Sequence, residues 1–256
     1  MTMLVGDCRT LMPGEGPFDL IIADPPYGDT ALAWDRRVEG WLPLAHAALR
    51  PTGSLWVFGS LRFFMATAAQ FDAAGWLYVQ DVIWQKTGGA GFQADRFKRI
   101  HELIVHFRRR GTLWRDVYNQ VQTTPDAVAK IAHRRRSPAH TGKIGAHLYI
   151  KAAGGPRIMR SVILQRNCRG RAIHPTEKPV ALIEILIRTS CPPGGLVGDW
   201  FAGSGAIGEA CRATGRRYLG CEIDADMATR ANDRIAATLP LGGTPAAPLP
   251  LPGDQT

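Results

Sequence analysis

The 256-residue sequence predicts an α/β protein with a doubly wound, mostly parallel open sheet and one basic insertion. Three observations support this prediction. Apolar runs alternate with helical patterns along most of the chain, two short signatures follow directly after such runs, and positive charge is concentrated in residues 108–171. With 45% apolar residues, a chain of this length can bury a substantial core.

Apolar runs bounded by turn residues predict the strands. They are rich in Val, Ile, Leu and Trp and do not alternate cleanly with polar residues, as expected for strands buried on both faces. The runs are Met3–Gly6, Phe18–Ala23, Ser54–Gly59, Leu77–Trp84, Leu103–Phe107, Leu196–Trp200 and Tyr218–Ile223. Helical patterns lie at Gly40–Leu49, Leu61–Ala74, Pro179–Thr189, Ile207–Thr214 and Ala225–Leu239. This alternation implies right-handed crossovers and a sheet that binds ligands at the carboxyl ends of its strands.

The first signature, Asp24-Pro25-Pro26-Tyr27, ends the second apolar run. Asp24 can accept one N–H of an exocyclic amine, and a carbonyl of Pro25 or Pro26, stiffened by two fixed φ angles, can accept the other. Tyr27 can stack on a base that has left its duplex. These four residues are the predicted catalytic residues, although a strand-ending turn would also account for the tetrapeptide by itself.

The second signature is Asp199 to Gly205. Its last three residues start a G-x-G-x-x-G pattern, Gly203–Gly208, which lies between a predicted strand and a predicted helix. Glu222 closes the next strand, where a carboxylate would hold the ribose hydroxyls of a nucleotide-like cofactor. An NAD-dependent oxidoreductase is therefore a competing prediction. It lacks support elsewhere, because no clear grouping of residues for hydride transfer follows this late βαβ unit.

Residues 108–171 break the rhythm of strands and helices. They contain 15 Lys or Arg and two acidic residues, whereas the remainder of the chain contains 16 basic and 20 acidic residues. A mildly acidic body with a strongly basic segment is typical of a nucleic-acid binder, although a solvated basic face is the alternative. We predict a small subdomain with a short helix near Asp126–Ala132. The predicted DNA-binding residues are Arg108, Arg109, Arg110, Arg134, Arg135, Arg136 and Lys143.

Several classes of protein are excluded by the composition. The five cysteines are odd in number and form no C-x-x-C pair, which argues against a disulfide framework or a metal site and favours a reducing cytosol. No apolar stretch approaches the roughly 20 residues that span a bilayer, and the N-terminal residues lack the features of a secretory signal. We predict a cytoplasmic protein without membrane contact, a core formed by 1–107 and 172–240, and a disordered tail, 241–256.

Five motifs, taken in order, resemble those of the DNA amino-methyltransferases that act on adenine N6 or cytosine N4, in the permuted β arrangement. The motifs are Gly6-Asp7-Cys8, the Asp24–Tyr27 tetrapeptide, the basic insertion, Thr176-x-Lys178-Pro179 and the Asp199–Gly205 loop. The resemblance covers roughly residues 3–237. It implies a Rossmann-like methyltransferase fold completed by strands from both ends of the chain.

The resemblance also implies partners and a cellular setting. The cofactor would be S-adenosyl-L-methionine and the substrate double-stranded DNA, whose sequence is read by residues 108–171. A homodimer and a companion restriction endonuclease are left open, and the expected location is the nucleoid of a bacterium or the DNA of a phage. Glutamine-amide and RNA-base methyltransferases use similar tetrapeptides, but they usually place the glycine loop before the tetrapeptide. A catalytically inactive DNA-binding scaffold is a further alternative.

Site residues follow from the resemblance. Asp7 would reach the adenine amine of the cofactor, Glu222 its ribose, and Thr176 with Lys178 its carboxylate. Turn capping by Asp7 and helix capping by Thr176 or Glu177 are the structural alternatives. The predicted cofactor-binding residues are Asp7, Cys8, Asp24, Thr176, Lys178, Asp199, Phe201, Ala202, Gly203, Ser204, Gly205, Glu222 and Ile223.

The resemblance favours adenine N6 as the methylated atom. Asp24 occupies the first tetrapeptide position, as in the adenine enzymes, whereas Ser is usual there in the cytosine N4 enzymes. Gly28-Asp29 replaces the Asn that often follows the tetrapeptide in adenine enzymes. Cytosine N4 is therefore the first alternative.

Overall fold

The computed structural model describes residues 1–90, 94–134, 147–168, 173 and 176–240. It divides into two compact units. Residues 120–160 form the small unit, and the remaining described residues form the core unit. The small unit lies inside the predicted insertion, 108–171, but is shorter. Residues 108–119 and 161–168 belong to the core unit instead. The predicted tail, 241–256, lies outside the described residues.

The core unit alternates strands and helices much as the apolar runs predict. Its strands are β1 (Thr2–Val5), β2 (Phe18–Ala23), β3 (Leu49–Gly59), β4 (Trp76–Ala90), β5 (Arg99–Arg109), β10 (Val162–Leu164), β11 (Leu196–Asp199) and β12 (Arg217–Glu222). Its helices are α1 (Cys8–Leu11), α2 (Trp41–Ala48), α3 (Leu61–Ala73), α4 (Val180–Ser190), α5 (Ala206–Thr214) and α6 (Ala225–Ala237). No helix among the described residues has the length and apolarity needed to cross a membrane.

One eight-stranded sheet organises the core unit, in the order β1-β12-β11-β2-β3-β5-β4-β10. Among its described strands, only β5 runs antiparallel to its neighbours. Strands from both ends of the chain complete the sheet, because β1 pairs with β12 and β2 pairs with β11. The predicted mostly parallel open sheet is confirmed.

Side chains on the central strands point alternately to the two faces of the sheet. In β2, Ile21 packs with α2 and α3, whereas Leu20 and Ile22 pack with α4 and α5. Both faces are thus covered by helices, which is why the central strands read as continuous apolar runs. The chain leaves β2 toward β3 and leaves β11 toward β12, in opposite directions along the sheet. A crevice opens at such a switch point in doubly wound folds.

The small unit contains two short antiparallel ladders. The strand β6 (Thr123–Thr124) pairs with β9 (Arg157–Ile158), and β7 (Lys130–Arg134) pairs with β8 (His147–Lys151). The predicted helix near Asp126–Ala132 is therefore wrong. Its second half is β7, where Ile131 pairs with Ile150 across the ladder, because β-branched residues gain more from cross-strand packing than from a helix.

Candidate active site

A cleft of about 1630 Å³ opens at the carboxyl ends of β2 and β11, at the switch point of the sheet. This volume exceeds the roughly 300–1,000 Å³ of a typical small-molecule site, so the cleft has room for two ligands. Most of the predicted catalytic and cofactor-binding residues line it: Asp7, Cys8, Asp24, Pro25, Pro26, Tyr27, Thr176, Lys178, Phe201, Ala202, Gly203, Ser204, Glu222 and Ile223.

A network of charged side chains surrounds Asp24. One carboxylate oxygen of Asp24 accepts a hydrogen bond from the Tyr27 hydroxyl at 2.6 Å, and the other lies 2.6 Å from the Lys178 ammonium. Glu102 on β5 completes the network. Its carboxylate lies 2.7 Å from the Tyr27 hydroxyl, whose single proton is shared between Glu102 and Asp24. It also lies 2.7 Å from Lys86 and 3.4 Å from Lys178. The tetrapeptide is thus fixed by contacts with one strand, β5, and with the loop before α4, both distant in sequence, while Lys86 on β4 holds Glu102.

Opposite charges keep this network ionised despite its burial. Burial raises the pKa of Glu102, but Lys178 and Lys86 outweigh that effect and bring it down to about 2. Burial likewise opposes the charge of Lys178, yet Asp24 and Glu102 raise its pKa above the ordinary value. Burial and the two carboxylates raise the pKa of Tyr27, which stays a neutral hydrogen-bond donor.

The loop after the tetrapeptide is organised by Asp35. Its carboxylate accepts hydrogen bonds from the backbone N–H groups of Gly28 at 2.8 Å, Asp29 at 3.0 Å and Thr30 at 2.7 Å. Burial opposes the charge of Asp35, but these bonds and the Thr30 hydroxyl outweigh it and lower its pKa. Gly28 itself adopts a φ of +70°, which favours glycine at this turn. The backbone that leaves Tyr27 is therefore held in one conformation.

The glycine loop after β11 contains two glycines with different environments. Gly203 has a φ of +47°, and a Cβ added there would meet no atom within 4 Å. Gly205 has a φ of +74°, and a Cβ there would lie 2.8 Å from the Cβ of Ala231 on α6. The first glycine leaves open space beside the cleft, and the second allows two helices to approach closely. The N–H of Gly203 donates to the Glu222 carboxylate at 2.7 Å, which ties the loop to the end of β12.

Comparison with known protein families assigns this chain to one of them. The model of the DNA methylase family, of the N6/N4 type, matches residues 18–233. The chain belongs to the DNA methylase family. The enzyme is a DNA methyltransferase, and S-adenosylmethionine is its methyl donor. The competing NAD-dependent oxidoreductase is thereby excluded.

Individual relatives of the methylase agree with this assignment. Type II methyltransferase M2.DpnII of Streptococcus pneumoniae is 26% identical over 245 residues, which cover 86% of this chain and 82% of the relative. The crystal structure of the M1.HpyAVI–SAM complex has a TM-score of 0.63 at 20% identity. That match covers 91% of this chain and 98% of the M1.HpyAVI chain. The structure of the cytosine-N4-specific PvuII DNA methyltransferase has a TM-score of 0.59 at 16% identity. That match covers 91% of this chain and 85% of the PvuII chain. The two structural likenesses show a shared fold.

The walls of the methylase cleft fit its cofactor. The open space over Gly203 lets a ligand approach the backbone, and the Glu222 carboxylate at the end of β12 faces the cleft beside it. Phe201 presents an aromatic ring that is held edge-on by Trp41, with ring centroids 5.4 Å apart. This side of the cleft therefore combines an accessible backbone, a carboxylate and an apolar surface, which suits a nucleoside with a charged tail.

Two predicted cofactor-binding residues, Asp199 and Gly205, lie behind the cleft wall and do not line it. Asp199 is fully buried at the end of β11, where its carboxyl accepts a hydrogen bond from the Tyr218 hydroxyl at 3.1 Å. Burial raises its pKa to about 8, so this carboxyl is largely protonated at neutral pH. Both residues shape the glycine loop.

Asp7 and the Thr176–Pro179 segment have contacts that the motifs did not specify. Asp7 caps α1 by accepting from the N–H of Arg9 at 2.8 Å, so the predicted turn-capping role is realised while the residue also lines the cleft.

The predicted capping of α4 by Thr176 or Glu177 is wrong, because Pro179 occupies the N-cap position of that helix. Lys178 is turned toward Asp24, on the tetrapeptide side of the cleft.

Glu177, the residue between Thr176 and Lys178, also lines the cleft, although its side chain is largely buried. Its carboxylate lies 3.0 Å from the Arg234 guanidinium of α6 and accepts from the N–H of Ile173 at 3.0 Å. Arg234 also donates to the carbonyl oxygen of Ser204 at 3.4 Å. One arginine therefore joins the segment that carries Lys178 to the glycine loop.

The predicted DNA-binding arginines fall into two groups. Arg108, Arg109 and Arg110 lie at the end of antiparallel β5, at the sheet edge opposite the cleft. There Arg109 donates to the carbonyl of Leu49 at 2.8 Å, and Arg110 pairs with Asp72. Of the second group, Arg134 ends β7, while Arg135, Arg136 and Lys143 lie outside the described residues. The described residues contain no cluster of three His, Cys, Asp or Glu suited to a metal ion.

Sequence reasoning missed Glu102, Lys86 and Asp35. The first two flank predicted apolar runs, directly before Leu103 and two residues after Trp84, so a charge at the end of a strand was the available signal. That signal becomes informative only once β4 and β5 are known to lie beside the tetrapeptide.

Proposed function

We propose that this DNA methylase transfers a methyl group to the N6 amine of adenine at a specific sequence in double-stranded DNA, with the base swung out of the duplex. The residue that carries this proposal is Asp24. A carboxylate in the first tetrapeptide position accepts an N–H of the adenine amine, whereas the cytosine N4 enzymes usually have Ser there. Its position at the switch point of the sheet, inside a cleft with room for two ligands, supports the proposal.

The chemistry requires an oriented amine and no covalent nucleophile. S-adenosylmethionine supplies an electrophilic methyl group, whose bond to sulfur breaks as the bond to the amine nitrogen forms, with the electron pair remaining on sulfur. Asp24 accepts one N–H, and a carbonyl of Pro25 or Pro26 accepts the other. Both contacts increase the electron density on nitrogen and hold it in line for attack. The proline φ angles limit the motion of the carbonyls.

Tyr27 is proposed to stack on the extruded base. Its hydroxyl is shared between the carboxylates of Asp24 and Glu102, and its ring lies 5.7 Å from that of Phe63. Three contacts therefore fix the ring before DNA arrives, which reduces the entropy lost when a base is bound. Chemistry on a base requires such a pocket, because the amine is inaccessible within the stacked duplex.

The cofactor is proposed to lie along the opposite wall. Glu222 would hold the ribose hydroxyls, Phe201 would contact the adenine ring, and Gly203 would allow the close approach of the methionine portion. Asp7 at the amino terminus of α1 is proposed for the adenine amine, which requires that its pairing with Arg9 rearranges. Thr176 would reach the carboxylate, while Lys178 acts on the Asp24 side of the cleft.

The basic segment, 108–171, is proposed to read the DNA sequence, with Arg134, Arg135, Arg136 and Lys143 on phosphates. The name of the M2.DpnII relative, a type II methyltransferase, supports a role in a restriction-modification system. A companion endonuclease, a homodimer and a nucleoid location in a bacterium or phage belong to this proposal.

The test is methyl transfer from labelled S-adenosylmethionine to unmodified DNA, followed by nucleoside digestion and mass spectrometry. N6-methyladenine is the expected product. N4-methylcytosine would preserve the architecture and the roles of the tetrapeptide but overturn the assignment of the base. Sequencing of the protected DNA then gives the recognition sequence.

A further inference from the structure

Glu102 occupies the centre of the charged network although it belongs to no methyltransferase motif in the sequence. Its side chain is 10% exposed. It accepts from the Tyr27 hydroxyl at 2.7 Å and pairs with Lys86 at 2.7 Å and Lys178 at 3.4 Å. The antiparallel direction of β5 places this residue, 75 positions after Tyr27, at the same edge of the sheet as the tetrapeptide.

The charges of the four ionised side chains in the network add up to zero. Asp24 and Glu102 are negative, Lys86 and Lys178 are positive, and Tyr27 is neutral. Lys178 is only 6% exposed and sits 2.6 Å from the Asp24 carboxylate. Without Glu102, the group would carry one excess positive charge directly beside the site of methyl transfer. Water screens a charge poorly at such a buried position.

We propose that Glu102 is a positioning and charge-balancing residue for methyl transfer: it holds Lys178 and Tyr27 against Asp24 and cancels the second ammonium. This inference rests on the proposed function of Asp24. As the N–C bond forms and the C–S bond breaks, the electron pair of the C–S bond stays on sulfur and the amine nitrogen becomes positive until one of its protons passes along the hydrogen bond to Asp24 and on to water. An excess positive charge beside Asp24 would oppose both this developing charge and the binding of the sulfonium.

The protonation state of Lys178 supports the same role. Burial disfavours its charge, but Asp24 and Glu102 raise its pKa, so it remains an ammonium and does not take the proton from the amine. Among the residues that the structure describes, the titratable groups that contact it are Asp24, Tyr27 and Glu102, with Lys86 on the far side of Glu102. Lys178 therefore orients Asp24 at the cost of a buried positive charge, which Glu102 offsets.

The experiment is a double-mutant cycle. Glu102→Gln keeps the shape of the side chain and an acceptor for Tyr27 but leaves one excess positive charge. We expect it to lower kcat by about ten-fold to a hundred-fold. Adding Lys86→Gln restores neutrality, and we expect the double variant to recover at least about five-fold of that loss. Lys86→Gln alone completes the cycle, and Asp72→Asn, an equal charge change at the opposite edge, is the matched control.

The outcomes separate charge from geometry. A double variant no faster than Glu102→Gln, or a Glu102→Gln enzyme as fast as the wild type, overturns the proposal. A second readout is the pH profile: Glu102→Gln removes a carboxylate from Lys178, so the alkaline limb of kcat/KM should shift to lower pH. Total methyl incorporation into DNA is measured whichever base is modified. A failure of the adenine assignment is therefore distinguishable from a failure of this proposal.

A second inference comes from the connection between β4 and β5, of which residues 94–98 are described. Phe97 is 103% exposed, and Arg96, Lys98 and Arg99 surround it in sequence. Lys98 and Arg99 line the cleft. Phe97 precedes Glu102 by five residues, so it lies within roughly 17 Å of the network along an extended chain. A fully exposed aromatic ring between cations, next to a cleft that takes a DNA base, is complementary to the stacked bases and phosphates of duplex DNA.

We infer that Phe97 enters the duplex at the position vacated by the target base, while Lys98 and Arg99 bind the flanking phosphates. This rests on the proposed extrusion of the base. An apolar wedge stacks on the neighbouring base pairs and replaces the stacking that the extruded base had provided. Two local ion pairs accompany the basic residues: Arg96 pairs with Asp95 at 2.7 Å, and Arg99 lies 3.8 Å from Asp29. Arg62 lies 4.0 Å from the same Asp29 carboxylate, so one acid faces two arginines and positive charge is in excess there. Lys98 and Arg99 are therefore the cations that we assign to the flanking phosphates.

The test compares Phe97→Ala on a paired duplex and on a duplex with a mismatch opposite the target base. We expect about ten-fold to hundred-fold slower methylation of the paired duplex, since a stacked aromatic contributes about that factor. The mismatched duplex should be methylated within about three-fold of the wild-type rate, because its target base leaves the stack easily. Phe97→Leu should recover part of the loss. Leu113→Ala, at an exposed apolar residue of the opposite edge, is the control.

Equal losses on both duplexes, or no loss on either, overturn the wedge. If the wild type itself methylates paired and mismatched duplexes at equal rates, base extrusion does not limit the reaction. In that case the inference about Phe97 is rejected independently of which base is methylated.

Discussion

Two aspartates end neighbouring strands of the same sheet and have opposite environments. Asp24 follows β2, opens into the cleft and is paired with a lysine ammonium. Asp199 ends β11, is fully buried and meets a tyrosine hydroxyl, so that burial raises its pKa to about 8. Both residues are aspartates at the carboxyl end of a parallel strand. Asp24 nevertheless lines the cleft, whereas Asp199 shapes the glycine loop. The neighbouring side chains, and not the position at the switch point, decide the role.

The largest expected effect comes from changing the aspartate in the cleft. We expect Asp24→Ala to abolish methyl transfer, a loss of at least about 10³-fold, because it removes both the acceptor for the amine and the partner of Lys178. DNA affinity, measured by fluorescence anisotropy with the same duplex, should stay within a few-fold of the wild type. A large loss of affinity instead would count against the assigned role in catalysis.

The same comparison predicts a different result for the buried aspartate. Asp199→Asn should keep methyl transfer within about three-fold, because the neutral amide resembles the protonated carboxyl. The expected change is in stability. The folded pKa of about 8 exceeds the ordinary value of 3.8, so the carboxyl binds a proton in the folded state and releases it in the unfolded state between these pH values.

Wild-type stability should therefore fall as pH rises from about 4 to about 8, by up to about 1.4 kcal/mol per pH unit from this group. Urea unfolding at several pH values in the wild type and in Asp199→Asn measures the difference. The contribution is complete below about pH 4 and lost above about pH 8. Parallel stability curves for the two proteins would mean that Asp199 is ionised in the folded state, and the contrast with Asp24 would disappear.

The smallest effects are expected from the two groups of arginines, and they concern the salt dependence of DNA binding. Changing Arg134, Arg135 and Arg136 together to Ala should flatten the salt dependence of DNA binding by up to about 0.9 units of slope for each phosphate no longer neutralised. Changing Arg108, Arg109 and Arg110 should leave the slope unchanged, because these residues lie at the edge opposite the cleft. Reversed results would move the DNA surface to that edge.

Local patterns predicted most of the core unit because each run of residues carries its own periodicity. Each apolar run overlaps a strand of the sheet, although β3 begins five residues before its run and β4 ends six residues after its run. The five helical patterns all correspond to helices. Inside the basic segment the pattern was misleading. There the polar and charged residues near Asp126 resemble a helix, but β7 pairs with β8, which follows it only after a long interval in the chain. Such non-local pairing leaves no periodic signal in a single segment.

The sequence by itself determined the family, the order of the motifs and which strand ends carry them, since short-range spacing specifies turns, strands and helix starts. Tertiary structure decided the rest of the site. It brought Glu102 and Lys86 to Asp24, placed Asp199 behind the cleft wall and turned Arg108–Arg110 to the far edge. The physical reason is that charge and burial depend on neighbours in space. Residues 75 to 154 positions apart in the chain meet in this network only after the sheet has formed.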